Sequence, residues 1–181
     1  MKKEMRIFIL VLVAASLYAG TALAFPVVSF VYQTSLYKPT TVQAAGFNVE
    51  MHGTPPGADA AAAVAGLHGP SWVGGAELRL LPADASPGKG TRLVLIFNGA
   101  GSPDEIACSK PDVLVGNTSG GGSFLRVLAI YCSGDRMITR GALSDGEVTG
   151  TGETYRDAMQ SLLNAMFPPQ NTNISPFGGG I

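Results

Sequence analysis

Residues 93–97 read Leu-Val-Leu-Ile-Phe, apolar at every position, so a strand of period two there must find cover on both faces and reads as interior. Residues 124–132 behave alike: Leu125, Val127, Ala129 and Tyr131 fall on one face, Phe124, Leu128, Ile130 and Cys132 on the other, and Arg126 is the only charge. Ser133-Gly134-Asp135-Arg136 follows, and glycine at the first central position supplies the positive φ that a type II′ hairpin turn needs. Such a two-residue loop pairs Ser133 with Arg136, Cys132 with Met137, Tyr131 with Ile138 and Ala129 with Arg140. The second strand carries Arg136, Thr139 and Arg140 and is expected to be the more exposed.

Elsewhere the periodicity is shorter. Residues 25–36 are rich in Val, Phe and Tyr and predict a first strand, which Pro26 places at a sheet edge. Residues 38–43 read as a turn. In residues 46–52, Phe47, Val49 and Met51 alternate with Asn48, Glu50 and His52, the pattern of a half-buried strand. Residues 58–67 predict an Ala-rich helix with Val64 and Leu67 on one stripe, stopped by Gly69-Pro70. A short strand is expected over 76–81, and residues 113–115 could add another. Tyr155, Met159, Leu162, Leu163 and Met166 recur at helical spacing, so 154–167 predicts the longest helix. Thr154 with Asp157 gives it a start resembling a capping box. Together these elements predict an α+β fold: a largely antiparallel sheet with two helices packed on it.

The ends of the chain change the picture more than its composition does. Lys2, Lys3 and Arg6 precede an apolar run over 7–20, and Ala22-Leu23-Ala24 stands ahead of Phe25, the pattern of a secretory signal peptide. The expected division is a signal peptide at 1–24 cleaved after Ala24, one domain at 25–167, and a flexible tail at 168–181. If the leader were retained, the apolar residues 25–32 would lengthen it toward the ~20 residues that a bilayer span requires. Removing it leaves nine basic residues against twelve acidic ones, a net charge of about −3, which is no balance for nucleic acid.

Both cysteines lie beyond the leader, so a periplasmic or secreted location makes a Cys108–Cys132 disulfide the expectation, with two buried free thiols as the alternative. The bond would close a loop of about 25 residues and pin the Gly-rich stretch 98–123.

The residues best suited to chemistry are few. Glu50 and His52 share a strand face, and His68 at the end of the Ala-rich helix could approach them; two histidines and a carboxylate can hold zinc with a fourth position for water. No HExxH spacing supports it. Ser86-Pro87-Gly88-Lys89 matches SxxK by letter, but Pro87 and Gly88 make a turn and no SDN or KTG partner follows. No GxSxG is present. The glycine-rich stretch 116–122 lacks the lysine of a phosphate-binding loop. Arg126, Arg136 and Arg140 could form a cationic patch at one end of the hairpin, or simply be solvated strand ends.

The reading that follows is a non-catalytic binding or accessory domain of the bacterial envelope. It needs no cofactor, and its partner is an envelope protein or small ligand, with membrane contact only if the leader stays. The rival is an exported hydrolase or metal-dependent enzyme using Glu50, His52 and His68.

Overall fold

The computed structural model describes residues 27–82, 90–99, 106–116, 124–148 and 151–171. The leader and its cleavage site, the SxxK match at 86–89, most of the glycine-rich stretch 116–122 and the tail from 172 onward lie outside the described residues.

Among the described residues, six strands form one sheet: β1 (Val27–Gln33), β2 (Asn48–His52), β3 (Arg79–Leu80), β4 (Thr91–Phe97), β5 (Phe124–Ser133) and β6 (Arg136–Glu147), in the order β1-β6-β5-β4-β2-β3. The pairs β1–β6, β6–β5 and β5–β4 are antiparallel, whereas β4–β2 and β2–β3 are parallel. The fold is α+β with a mixed sheet. Parallel neighbours need a crossover, and the one between β2 and β3 carries the short helix α2 (Ala60–Val64). The other helices are α1 (Pro39–Ala45), α3 (Ile106–Ser109) and α4 (Glu153–Met166).

The two apolar strands are covered on both sides, as their composition demands. On the inner face Leu93, Leu95, Phe97, Leu125, Val127, Ala129 and Tyr131 join Tyr155, Met159, Leu162, Leu163 and Met166 of α4 in the larger core. Phe167, just past α4, meets the rings of Phe47 and Tyr131 edge-on at 5.1 Å, a favoured aromatic geometry. On the outer face Val94, Ile96, Leu128, Ile130 and Cys132 pack under Ala107, Cys108 and Leu114. That cover is a strap, residues 106–116, made of α3 and a 3-10 turn at Pro111–Leu114. The disulfide Cys108–Cys132, with Cα atoms 5.7 Å apart, fixes it to β5.

The hairpin turn forms with Gly134 at φ +58°, and Ser133–Arg136 and Cys132–Met137 pair as expected. Beyond them the expected register fails. A β-bulge pairs Tyr131 with Thr139 and Ala129 with Gly141, instead of Ile138 and Arg140. An unbroken ladder would set Arg140 opposite Ala129, on the inner face under α4. The bulge lets both Ile138 and Thr139 face inward and turns Arg140 outward, so a charge is kept out of the core. Gly141 takes the inner position instead, where a Cβ would lie 2.9 Å from Leu162 Cδ1 and Met166 Cγ.

Local signals were also misread. Residues expected as a turn at 38–43 begin helix α1, with Pro39 at its first position, where the missing N–H costs nothing. Helix α2 is shorter than the alanine run: Asp59 caps it by accepting from the Ala62 N–H at 2.7 Å, and Gly66 at φ +73° follows its end. Helix α4 starts one residue early, at Glu153, with Gly152 at the cap, so Thr154 does not cap it. Residues 113–115 form no strand beyond a single bridge from Val115 to Gly99. The expected strand over 76–81 contracts to β3 and a bridge between His68 and Glu77.

Candidate functional site

The alternation of β2 sends Glu50 and His52 to the outer face, where they meet the strap. His52 Nε2 lies 2.8 Å from Glu50 Oε1, and its Nδ1 lies 2.7 Å from Asp112 Oδ1 on the strap. The other oxygen of Glu50 accepts from Arg92 Nε. Arg92 is the first outward residue of β4 and is only 1% exposed. Its remaining nitrogens donate to the Gly134 carbonyl of the hairpin turn at 3.0 Å and to the Cys108 carbonyl of the strap at 2.6 Å. One chain of four side chains thus joins β2, β4, the hairpin turn and the strap beside the disulfide.

A guanidinium never gives up its proton in a protein, so a buried one must be met by a carboxylate and by acceptors at its other donors. Glu50 and two carbonyls do this here. The imidazole of His52 faces a carboxylate oxygen at each nitrogen, Glu50 at one and Asp112 at the other.

His68 does not join the group: it is exposed, and its backbone bridges to Glu77. Among the described residues, no three His, Cys, Asp or Glu side chains are grouped so as to hold a metal ion. Arg92 and Asp112 are the members that sequence reasoning missed. Arg92 was findable, since it is the one charge in a strand otherwise apolar from Leu93 onward and shares the parity of Val94 and Ile96, so it calls for a buried acid. Nothing in the local pattern singles out Asp112.

A second feature lies on the same face, past the reach of the strap. Phe30 and Tyr32 of β1 are 39% and 48% exposed. Arg140 of β6 lies over both rings, its Cζ 5.8 Å from the Phe30 centroid and 5.2 Å from that of Tyr32, within the range of cation–π attraction. Beside them an open groove of about 240 Å³ is lined by Phe30, Gly99, Arg126, Leu128, Ala142 and Ser144, among others. Arg126 and Arg140 share this surface, but Arg136 sits at the turn opposite Ser133. The three arginines are therefore strung along the hairpin and form no single patch at its end.

No family model, curated protein or solved structure matches this chain.

Proposed function

We propose that this chain is an exported, non-catalytic binding domain of the bacterial envelope, and that it recognises its partner through the open half of the outer sheet face. Export is supported by the basic start, apolar run and Ala22-Leu23-Ala24 ahead of Phe25, and by a buried disulfide that suits an oxidising compartment. No described helix is long and apolar enough to cross a membrane.

The observation that carries the binding role is the exposure of Phe30 and Tyr32 beside a groove, on a face whose other half is covered. Large side chains left together in water mark interaction surfaces more often than chance would place them there. The polar network at Glu50, by contrast, is turned inward on its own partners. A photo-crosslinking residue placed at position 30 or 32 of the exported protein tests the proposal, with exposed Trp72 as the control position. Adducts confined to positions 30 and 32 are expected; adducts only at position 72, or none, reject the surface. Intact mass should show a mature chain beginning at Phe25.

A further inference from the structure

We infer that Asn98 and Gly99 form a self-modifying site at the root of the strap. The Gly99 amide nitrogen closes on the Asn98 side chain, and water opens the ring to leave aspartate or isoaspartate at position 98, which loosens the strap. The inference goes beyond the binding role and stands without it.

The first observation is the pair itself. Of the asparagines in the chain, only Asn98 precedes a glycine, so only there does the attacking nitrogen belong to a residue without a Cβ to crowd it. The two groups sit on neighbouring residues of one chain, and reactants held together react far faster than free ones.

The second observation is how loosely both groups are held. The bridge from Gly99 to Val115 is carried by its flank, where the Gly116 N–H donates to the Asn98 carbonyl at 3.1 Å. Among the described residues the Gly99 N–H itself has no acceptor. The Asn98 carboxamide is placed by one long contact, Nδ2 to the Thr54 carbonyl at 3.4 Å, beyond the ordinary span of an N–H···O bond. Both residues are half-buried, so water has access to the pair.

The third observation is strain. Among the described residues Asn98 is the one non-glycine residue at positive φ, 54°, a region where a side chain crowds its own backbone. Isoaspartate carries the main chain through one more carbon and is released from that constraint, which favours it over aspartate.

The chemistry balances with water as its only co-reactant. The Gly99 nitrogen gives up its proton and bonds to Asn98 Cγ, the Cγ–Nδ2 bond breaks, and the departing nitrogen leaves as ammonia with that proton. Water then adds its hydroxyl to one of the two ring carbonyls and returns a proton to the Gly99 nitrogen. Opening at Cγ gives aspartate; opening at the Asn98 main-chain carbonyl gives isoaspartate. Either product takes the donor away from Thr54. Isoaspartate also takes the carbonyl that holds the Gly116 N–H out of the main chain, beside the bridge to Val115.

The test incubates the full chain, folded and with its disulfide intact, at mildly alkaline pH, beside the same chain unfolded in urea. Peptide mass spectrometry with electron-transfer fragmentation reads position 98, which gains the difference between NH2 and OH and separates aspartate from isoaspartate. Conversion in the folded chain is expected at Asn98, with isoaspartate the larger product and Asn48 and Asn164 intact. Gly99→Ala should slow it tenfold or more, since its methyl meets only ordinary contacts, 3.4 Å to Ile96 Cγ2 and to the Leu114 carbonyl. In the converted protein the Gly116 amide should exchange with deuterium tenfold faster or more. Asn98→Gly, which accepts the positive φ and has no carboxamide, should hold its Gly116 exchange constant through the same incubation. Conversion only in urea, aspartate without isoaspartate, an undiminished rate in Gly99→Ala, or unchanged Gly116 exchange after conversion overturns the proposal.

Discussion

Replacing Glu50 by Ala should be among the most damaging single changes in the domain, through Arg92 more than through Glu50 itself. Arg92 is 1% exposed and keeps its charge, so without Glu50 it is held by the Gly134 and Cys108 carbonyls alone. Breaking one side of a buried pair costs about 3 to 5 kcal/mol. His52 also loses one of its two carboxylates. In a domain of this size each kcal/mol moves Tm by roughly 2 to 4 °C, so a fall of about 10 °C is expected. Urea titration with the disulfide intact is the assay, and the decisive comparison is a double-mutant cycle. Arg92→Met strands Glu50 in turn, but Glu50→Ala with Arg92→Met removes both charges and leaves two carbonyls, and one nitrogen of His52, short of a partner, at about 1 to 3 kcal/mol each. The double variant should therefore lose much less than the two single losses combined. A loss below about 1 kcal/mol for Glu50→Ala, well under the range for a stranded buried charge, or strict additivity in the cycle, would refute the reasoning.

Gly141→Ala should cost about 1 to 3 kcal/mol, since the new methyl meets Leu162 and Met166 at 2.9 Å and α4 must shift to admit it; an unchanged urea midpoint would mean the helix gives way freely. Leu162→Ala and Leu163→Ala, both at fully buried positions, should each lose about 2 to 5 kcal/mol by the same assay. Protein purified without reductant should show no titratable thiol after denaturation, and reduction should lower stability by about 3 kcal/mol, the entropy of the loop that Cys108–Cys132 closes; two free thiols would contradict the bond. Burial raises the phenol of Tyr37 to about 12 and pushes those of Tyr131 and Tyr155 up further. These groups hold their protons more tightly folded than unfolded, so their contribution is intact below about pH 10, the ordinary tyrosine value, and is lost as pH rises from there toward the folded values. Ultraviolet absorbance of the phenolate should show them ionising only as the protein unfolds; ionisation near pH 10 with the fold intact would refute it.

How far the fold was legible follows from how its signals arise. β4, β5 and the stripe of α4 were readable because burial dictates their composition directly, and the faces assigned to Leu125, Val127 and Tyr131 are those observed. The cysteine pair was readable from compartment logic. The parallel placement of β2 beside β4 was not, because it depends on the crossover through α2 and not on any property of β2 alone. The bulge was illegible for a related reason: it answers to a conflict between Arg140 and α4, elements distant in sequence that meet only in the folded chain. Of the polar network, alternation placed Glu50 and His52 on one face, yet their partners Arg92 and Asp112 come from segments whose approach the strap alone determines.

That strap also explains why the outer face is divided. It must leave β4 at Asn98, whose φ of 54° turns the chain out of the sheet, and it is bound again at Cys132, through Arg92 to Cys108, and through His52 to Asp112. Every one of these anchors lies on β2, β4 or β5. Covering β1 as well would mean crossing two more strands at about 4.8 Å each, and the Val115 bridge back to Gly99 holds the strap's far end at the rim of the groove. The bulge then delivers Arg140 to the half left open, over Phe30 and Tyr32. The devices that close one half of the face, a disulfide and a buried ion network, are thus the ones that leave the other half exposed with a positive charge on it.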